Sequence, residues 1–288
     1  YQARGRHVGC PRARARRAGS VGGQGPTMTG AGHGPAPSSD RVVAVTGAAG
    51  GLGRALVAEL VARGLSVRAG VRKAADEPAM LELGALPVIA DVERPELLER
   101  LVAGADVVYH LAAWMGAPAG KAHAVNVDGT RNVIRAAAAA GARRVVHASS
   151  IAVYGPVATG HVGEDAPQVR VGDAYGDSKI EAEAVARAEA AASGQSHGRA
   201  APLELVMLRP SMIFGPASTS WTLAPVGAIA RGLPVTLGDG SGLLDAVYVA
   251  DVARAFALAG DADLGADGPV TAITITGQSV SVAEFFGA

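Results

Sequence analysis

Thr46-Gly47-Ala48-Ala49-Gly50-Gly51-Leu52-Gly53-Arg54 decides how the chain is read. It follows a short apolar run, Arg41–Thr46, that has the character of a buried strand. It precedes Leu52–Arg63, where apolar residues recur at helical spacing. Glycines at 47, 50 and 53 permit a tight turn and a close approach to the backbone, and the amides that open a helix attract an anion. In a chain with 39 glycines the spacing alone is weak. Its place between strand and helix gives it weight. The order predicts a cradle for the pyrophosphate of a dinucleotide, made by Gly47, Gly50, Gly51, Leu52 and Gly53.

Outward from that loop the chain alternates. Strands are expected at Ser66–Val71, Leu86–Ala90, Asp106–Leu111, Val145–Ala148 and Leu203–Leu208, with helices at Pro95–Ala103, Asn126–Ala140 and Tyr175–Ala192. Continuous apolar strands alternating with helices mean an α/β fold, a Rossmann-type doubly wound parallel sheet covered on both faces. The expected dinucleotide-binding domain spans 41–210. After Pro210, prolines and glycines break the rhythm. Two short strands (Ala246–Val249, Val270–Ile275) and a helix (Asp251–Ala259) predict a smaller substrate lobe over 211–288. A helix start at Ser281 so near the last residue implies a lobe shortened at its C-terminus. Residues 1–40, with a basic run and a Gly/Pro/Ser/Thr-rich stretch, are expected to be a disordered tail outside the native coding sequence.

Composition narrows the function. The tail holds six arginines against one acid, Asp40, leaving 20 basic and 25 acidic residues in the remainder. A mildly acidic body with only 4% aromatics disfavours nucleic acid. One cysteine, Cys10, excludes a disulfide scaffold, and the seven histidines lack metal-ligand spacing. No apolar run approaches the ~20 residues of a membrane span, and no apolar stretch follows the arginines as in a secretory signal. A cytoplasmic protein without metal or membrane partner is expected. Gly194-Gln195-Ser196-His197-Gly198 fits a hydrolase pattern but follows a helix, where the strained nucleophile turn does not form.

Tyr175 and Lys179, four apart, share one helix face. Lysine occurs three times in the chain, so its place here is informative. An ammonium beside a phenol favours the phenolate, and Tyr175 can then exchange a proton with a substrate oxygen. Ser150, just past the fifth strand, can hydrogen-bond that same oxygen. At the end of the second strand, where an NAD-binding carboxylate is usual, stand Val71, Arg72 and Lys73. Two cations without an acid suit the 2′-phosphate of NADP, with NAD as the alternative.

Together these motifs resemble the extended short-chain dehydrogenase/reductase superfamily, the NAD-dependent epimerase/dehydratase family. The resemblance runs through Gly47/Gly50/Gly53, Asp91-Val92, His110-Leu111-Ala112-Ala113, Asn126–Asn132, Ser149–Gly155, Tyr175–Lys179 and Leu208–Pro216, covering about 41–286. It implies Ser150, Tyr175 and Lys179 as the catalytic set. It also implies that Asp91, Val92, Leu111, Ala112, Ala113 and Pro210 contact the cofactor, and that the alanine-rich helices pair in a homodimer. Nucleotide-sugar members usually carry Asn at Met212 and Arg at Leu244, both diphosphate ligands, so the resemblance leans to the 3β-hydroxysteroid dehydrogenase and dihydroflavonol reductase branch. Trp114, Met115, Met212, Phe214, Trp221 and Leu244 are then candidates for an apolar substrate pocket, with Trp114, Met115, Phe214 and Trp221 equally candidates for plain core. The expected activity interconverts an alcohol and a ketone on an apolar small molecule. The alternatives are a nucleotide-sugar epimerase or dehydratase and a cofactor-sensing protein without catalysis.

Overall fold

A strand rich in β-branched residues, β1 (Val42–Thr46), lies inside the sheet beside its central strand, in a computed structural model. The structure describes residues 40–116, 118–157, 162–196, 202–233, 239–264 and 268–287. The tail over 1–39, with Cys10, and the His197-Gly198 end of the hydrolase-like pattern lie outside them.

From β1 the chain runs through α1 (Gly51–Ala62), β2 (Ser66–Val71), α2 (Glu77–Glu82), β3 (Leu86–Ile89), α3 (Pro95–Val102) and β4 (Val107–His110). Next come the short α4 (Ala119–Ala122), a π-helical turn at His123–Asp128, α5 (Gly129–Ala139) and β5 (Arg144–Ala148). A 3₁₀ turn at Ile151–Tyr154 leads to α6 (Ala174–Ser196), β6 (Glu204–Pro210) and β7 (Met212–Phe214). The remainder holds a π-helical turn at Thr219–Leu223, α7 (Ala224–Ala230), β8 (Leu243–Tyr248), α8 (Val249–Asp261), β9 (Val270–Ile275), β10 (Gln278–Ser281) and α9 (Val282–Gly287).

Seven parallel strands form the main sheet in the order β3-β2-β1-β4-β5-β6-β9. The order reverses between β1 and β4, and a crevice opens there at the strands' C-terminal ends. One face is covered by α1, α2 and α8, which bury Leu56, Leu60, Met80 and Phe256. Phe256, fully buried, contributes about 2–3 kcal/mol. The other face is covered by α3, α5 and α6, with Leu98, Ile134 and the small Ala186 and Ala190 against the sheet.

The substrate lobe expected beyond Pro210 lends two elements to this layered body. Strand β9 pairs with β6 from Leu205↔Val270 to Pro210↔Ile275, and α8 packs on α1. Outside the main sheet stand β7, β8 and β10 as a small second sheet in the order β10-β8-β7, together with α7 and α9.

Candidate active site

The loop after β1 turns at Gly47, whose φ of 68° lies in the left-handed region. A Cβ on Gly53 would stand 2.2 Å from the Gly47 carbonyl oxygen, so only glycine lets α1 start this close beneath the loop. From the other side, a Cβ on Gly51 would meet the Ala217 carbonyl oxygen at 2.9 Å. The segment after β7 therefore lies against the glycine loop, with Ala217 itself at a φ of 61°. Gly50 caps α1 without a side-chain hydrogen bond, and the first turn holds no acid. These amides, beside a glycine-lined space, suit a dinucleotide pyrophosphate.

The space is a cavity of about 900 Å³ along the crevice. Gly47, Gly50, Gly51, Leu52, Gly53, Arg72, Lys73, Asp91, Val92, Leu111, Ala112, Ala113 and Pro210 all line it, as do Ser150, Tyr175, Lys179 and Met212. Arg72 and Lys73 are exposed at the end of β2, and neither makes an ion pair among the described residues. Asp76 lines the same end and escaped the sequence reading, which looked for an acid only at position 71. Val71 is buried in the core.

Three expected pocket residues stand away from this cavity. Trp114 packs against the core beneath α5, its main chain clamped by Asn126, whose Oδ1 accepts from Trp114 N at 2.7 Å. The Phe214 ring meets Tyr248 and Phe285 at centroid distances of 5.5 and 5.9 Å, on a separate cavity. Leu244 pairs with Val280 in the small sheet. Local sequence gave no means to see which side of the lobe each would take. Two further candidates, Met115 and Trp221, do line the cavity, as does Ile151.

The three candidate catalytic groups converge. Ser150 and Tyr175 line the same cavity, and Ser150 Oγ accepts from the Ala152 amide at 3.1 Å. Lys179 Nζ sits 5.7 Å from the centre of the Tyr175 ring and donates to the Ala148 carbonyl at 2.8 Å. The expectation that Lys179 lowers the Tyr175 pKa is corrected. Burial pushes the phenol up, Asp173 adds to this, and the nearby Ser150 hydroxyl opposes it. Burial also lowers Lys179 to about 8 against the pull of Glu183.

Behind the cavity, His110 lies between the glycine loop and α5. The Thr130 hydroxyl donates to Asn126 O at 2.6 Å, so His110 Nε2 carries the proton given to Thr130 Oγ1 at 3.0 Å. Nδ1 then accepts from Thr46 Oγ1 at 2.8 Å, and Thr46 Oγ1 in turn accepts from the Leu111 and Ala112 amides. Burial holds this imidazole neutral, with its pKa lowered to about 3.

The sequence reading also missed a buried carboxylate, Glu183, and its partners Ser149 and Arg209. A signal existed. Lys179, Ala182, Glu183, Ala186 and Ala190 form the buried stripe of α6, and a carboxylate on such a stripe breaks the apolar pattern.

Residues 43–272 match the model of the NAD-dependent epimerase/dehydratase family. A ketoreductase of a farnesylated dihydroquinoline oxide from Stigmatella aurantiaca is 34% identical over 84% of this chain and 70% of that enzyme. A 2-alkyl-3-oxoalkanoate reductase from Stenotrophomonas maltophilia is 32% identical over 76% of this chain and 65% of that enzyme. Among solved structures, a UDP-glucose 4-epimerase from Thermus thermophilus in complex with NAD is 28% identical, with a TM-score of 0.69 over 86% of this chain and 81% of that one. Among the described residues no three His, Cys, Asp or Glu side chains gather as a metal site, and no helix is long and apolar enough to cross a membrane.

Proposed function

The chain belongs to the NAD-dependent epimerase/dehydratase family, within the extended short-chain dehydrogenase/reductases, and from that premise we propose that it reduces a ketone on an apolar small molecule with NADPH. The observation that carries the reading is the convergence of Ser150, Tyr175 and Lys179 on one wall of the crevice whose other wall is the glycine loop. The nicotinamide cofactor, when bound, supplies the hydride. Tyr175 gives a proton to the carbonyl oxygen of the substrate. At neutral pH the phenol is protonated and can donate, while its raised pKa makes it a weaker acid that depends on stabilisation of the phenolate. Ser150 donates a hydrogen bond to the same oxygen as negative charge develops on it. Lys179, charged below its pKa of about 8, supports the phenolate left behind.

Preference for NADP rests on Arg72 and Lys73, cations at the end of β2 with no acid at position 71. Asp76 at the same end favours NAD, and two dissociation constants decide between them. An apolar substrate is supported by Met115, Ile151, Met212 and Trp221 on the cavity and by the two relatives, whose names describe ketones bearing farnesyl or alkyl groups. The second reading, a nucleotide-sugar epimerase, draws on the likeness to the Thermus enzyme. A UDP-sugar that raises the melting temperature as much as NADPH does would favour it. The enzyme is further proposed to work in the cytoplasm as a homodimer joined through α5 and α6. Fluorescence titration with NADPH and NADH, followed by turnover on a panel of alkyl, isoprenoid and steroid ketones, tests the proposal. Failure to bind either dinucleotide would end it.

A further inference from the structure

We propose that Glu183 is the positioning residue of this site, tying the strand end that carries Ser150 to the helix that carries Tyr175 and Lys179. Its carboxylate is 1% exposed, and both oxygens are fully engaged. Oε1 accepts from Ser149 Oγ at 2.6 Å and Arg209 Nε at 2.8 Å. Oε2 accepts from Arg209 Nη2 at 2.7 Å and Gln168 Nε2 at 2.7 Å. Ser149 immediately precedes Ser150, and its amide donates to Leu208 O of β6 at 2.7 Å. Glu183 lies one turn beyond Lys179 on the same face of α6. Arg209 extends the brace from β6 to the 3₁₀ turn, donating to the Tyr154 hydroxyl at 2.7 Å and to Glu164 O at 2.9 Å. One carboxylate thus joins every backbone segment that presents a member of the catalytic set.

A buried ion pair is a poor source of stability, because desolvation offsets most of its attraction. It does fix geometry, since each of its four hydrogen bonds is directional. Proton transfer demands such order, because small misplacements of a reacting group cost large factors in rate.

Glu183 also bears on the charge of Lys179. Burial raises the Glu183 pKa, but its hydrogen bonds to Arg209, Ser149 and Gln168 outweigh that and hold it below the usual carboxylate range. It is the charged neighbour that favours the Lys179 ammonium. His110 on β4 and His147 on β5 also interact with Lys179, and burial keeps both neutral. Arg209 on β6 is engaged by Glu183, with Tyr154 of the 3₁₀ turn at its far side. On α4, the π-helical turn and α5, Lys121 pairs with Glu93, His123 contacts Asp128 and Glu181, and Arg131 and Arg135 pair with Glu189.

This inference rests on the proposed reductase reading, so its test separates the two. The chain has three lysines, and ¹³Cε-lysine labelling of the intact protein therefore gives three signals, one from Lys179. In Glu183→Gln the Lys179 titration midpoint should fall by about one pH unit, and the alkaline limb of kcat should follow it. In Ser149→Ala, which keeps the buried pair and so keeps the fold, kcat should fall about tenfold with KM and dinucleotide Kd within about twofold. Ser149→Thr retains the hydroxyl and should recover kcat to within about threefold of the parent. A purely structural carboxylate would lower the melting temperature and leave kcat untouched. That result, or unchanged kcat in Ser149→Ala alone, overturns the proposal. Full turnover in Tyr175→Phe would instead overturn the reductase reading, whatever Lys179 does.

Discussion

Two glycines in the loop after β1 differ in what a methyl group would meet, and the difference separates fold from ligand. At Gly53 an added Cβ would lie 2.2 Å from the Gly47 carbonyl oxygen and 2.7 Å from that of Ala48. Non-bonded heavy atoms prefer about 3.5 Å, and backbone cannot swing aside as a side chain does. Gly53→Ala should therefore cost about 1–3 kcal/mol, as overpacking generally does. That corresponds to a fall in Tm of roughly 3–10 °C for a domain of this size. At Gly50, among the described residues beyond its chain neighbours, an added Cβ would meet within 4 Å the Gly47 carbonyl oxygen at 3.4 Å, and φ is −71°. Gly50→Ala should leave Tm almost unchanged, because the reduced freedom of the unfolded chain, about 0.4–1 kcal/mol, offsets a poorer helix cap. Its methyl group would enter the cavity before the uncapped amides of α1. Dinucleotide Kd should then rise at least tenfold, about 1.4 kcal/mol. Paired thermal scans and fluorescence titrations measure both quantities. If Gly50→Ala binds NADPH and NADH as the parent does, the pyrophosphate does not lie there and the reasoning fails.

Arg72→Ala should weaken NADPH about ten- to a hundredfold, since a charge-assisted hydrogen bond is worth ~1.5–3 kcal/mol. NADH should be nearly unaffected, and equal loss for both would remove the NADP assignment. Below pH 6.5 the unfolded chain takes up protons that buried His110 and His147 refuse, so stability should fall as pH drops. Each imidazole that stays neutral steepens the fall by about 1 kcal/mol per pH unit below pH 6. Urea midpoints at several pH values measure it, and a flat profile over that range would show that the imidazoles charge in place. Light scattering at micromolar concentration should give twice the chain mass, and a single-chain mass would count against pairing through α5 and α6.

What was legible in the sequence was local. Ser66–Val71 and Val270–Ile275 carry β-branched, apolar patterns that predict the observed strands to the residue. Yet nothing in Val270–Ile275 says that it pairs with β6 across more than sixty positions of chain. The expected division at residue 210 therefore missed its place in the main sheet. Strands β7 and β10 are three and four residues long, too short for a period to register. The glycine loop and the Tyr175/Lys179 pair were readable because their parts are neighbours in sequence. The Ser149–Glu183–Arg209 brace was not, since its members lie 34 and 26 residues apart and meet only once the sheet is built. The Tyr175 pKa failed for a related reason. Its direction depends on burial, which spacing along a helix does not report.

Whether Tyr175 delivers the proton in a dinucleotide-dependent ketone reduction can be read from a single substitution. Steady-state oxidation of NADPH is followed with apolar ketones for the parent protein and for Tyr175→Phe, which keeps the ring and deletes only the hydroxyl. The parent should turn over, the variant should fall by about a hundredfold or more, and its NADPH Kd should stay within about twofold of the parent's. Turnover in Tyr175→Phe close to that of the parent, with saturating NADPH, would contradict that role for Tyr175.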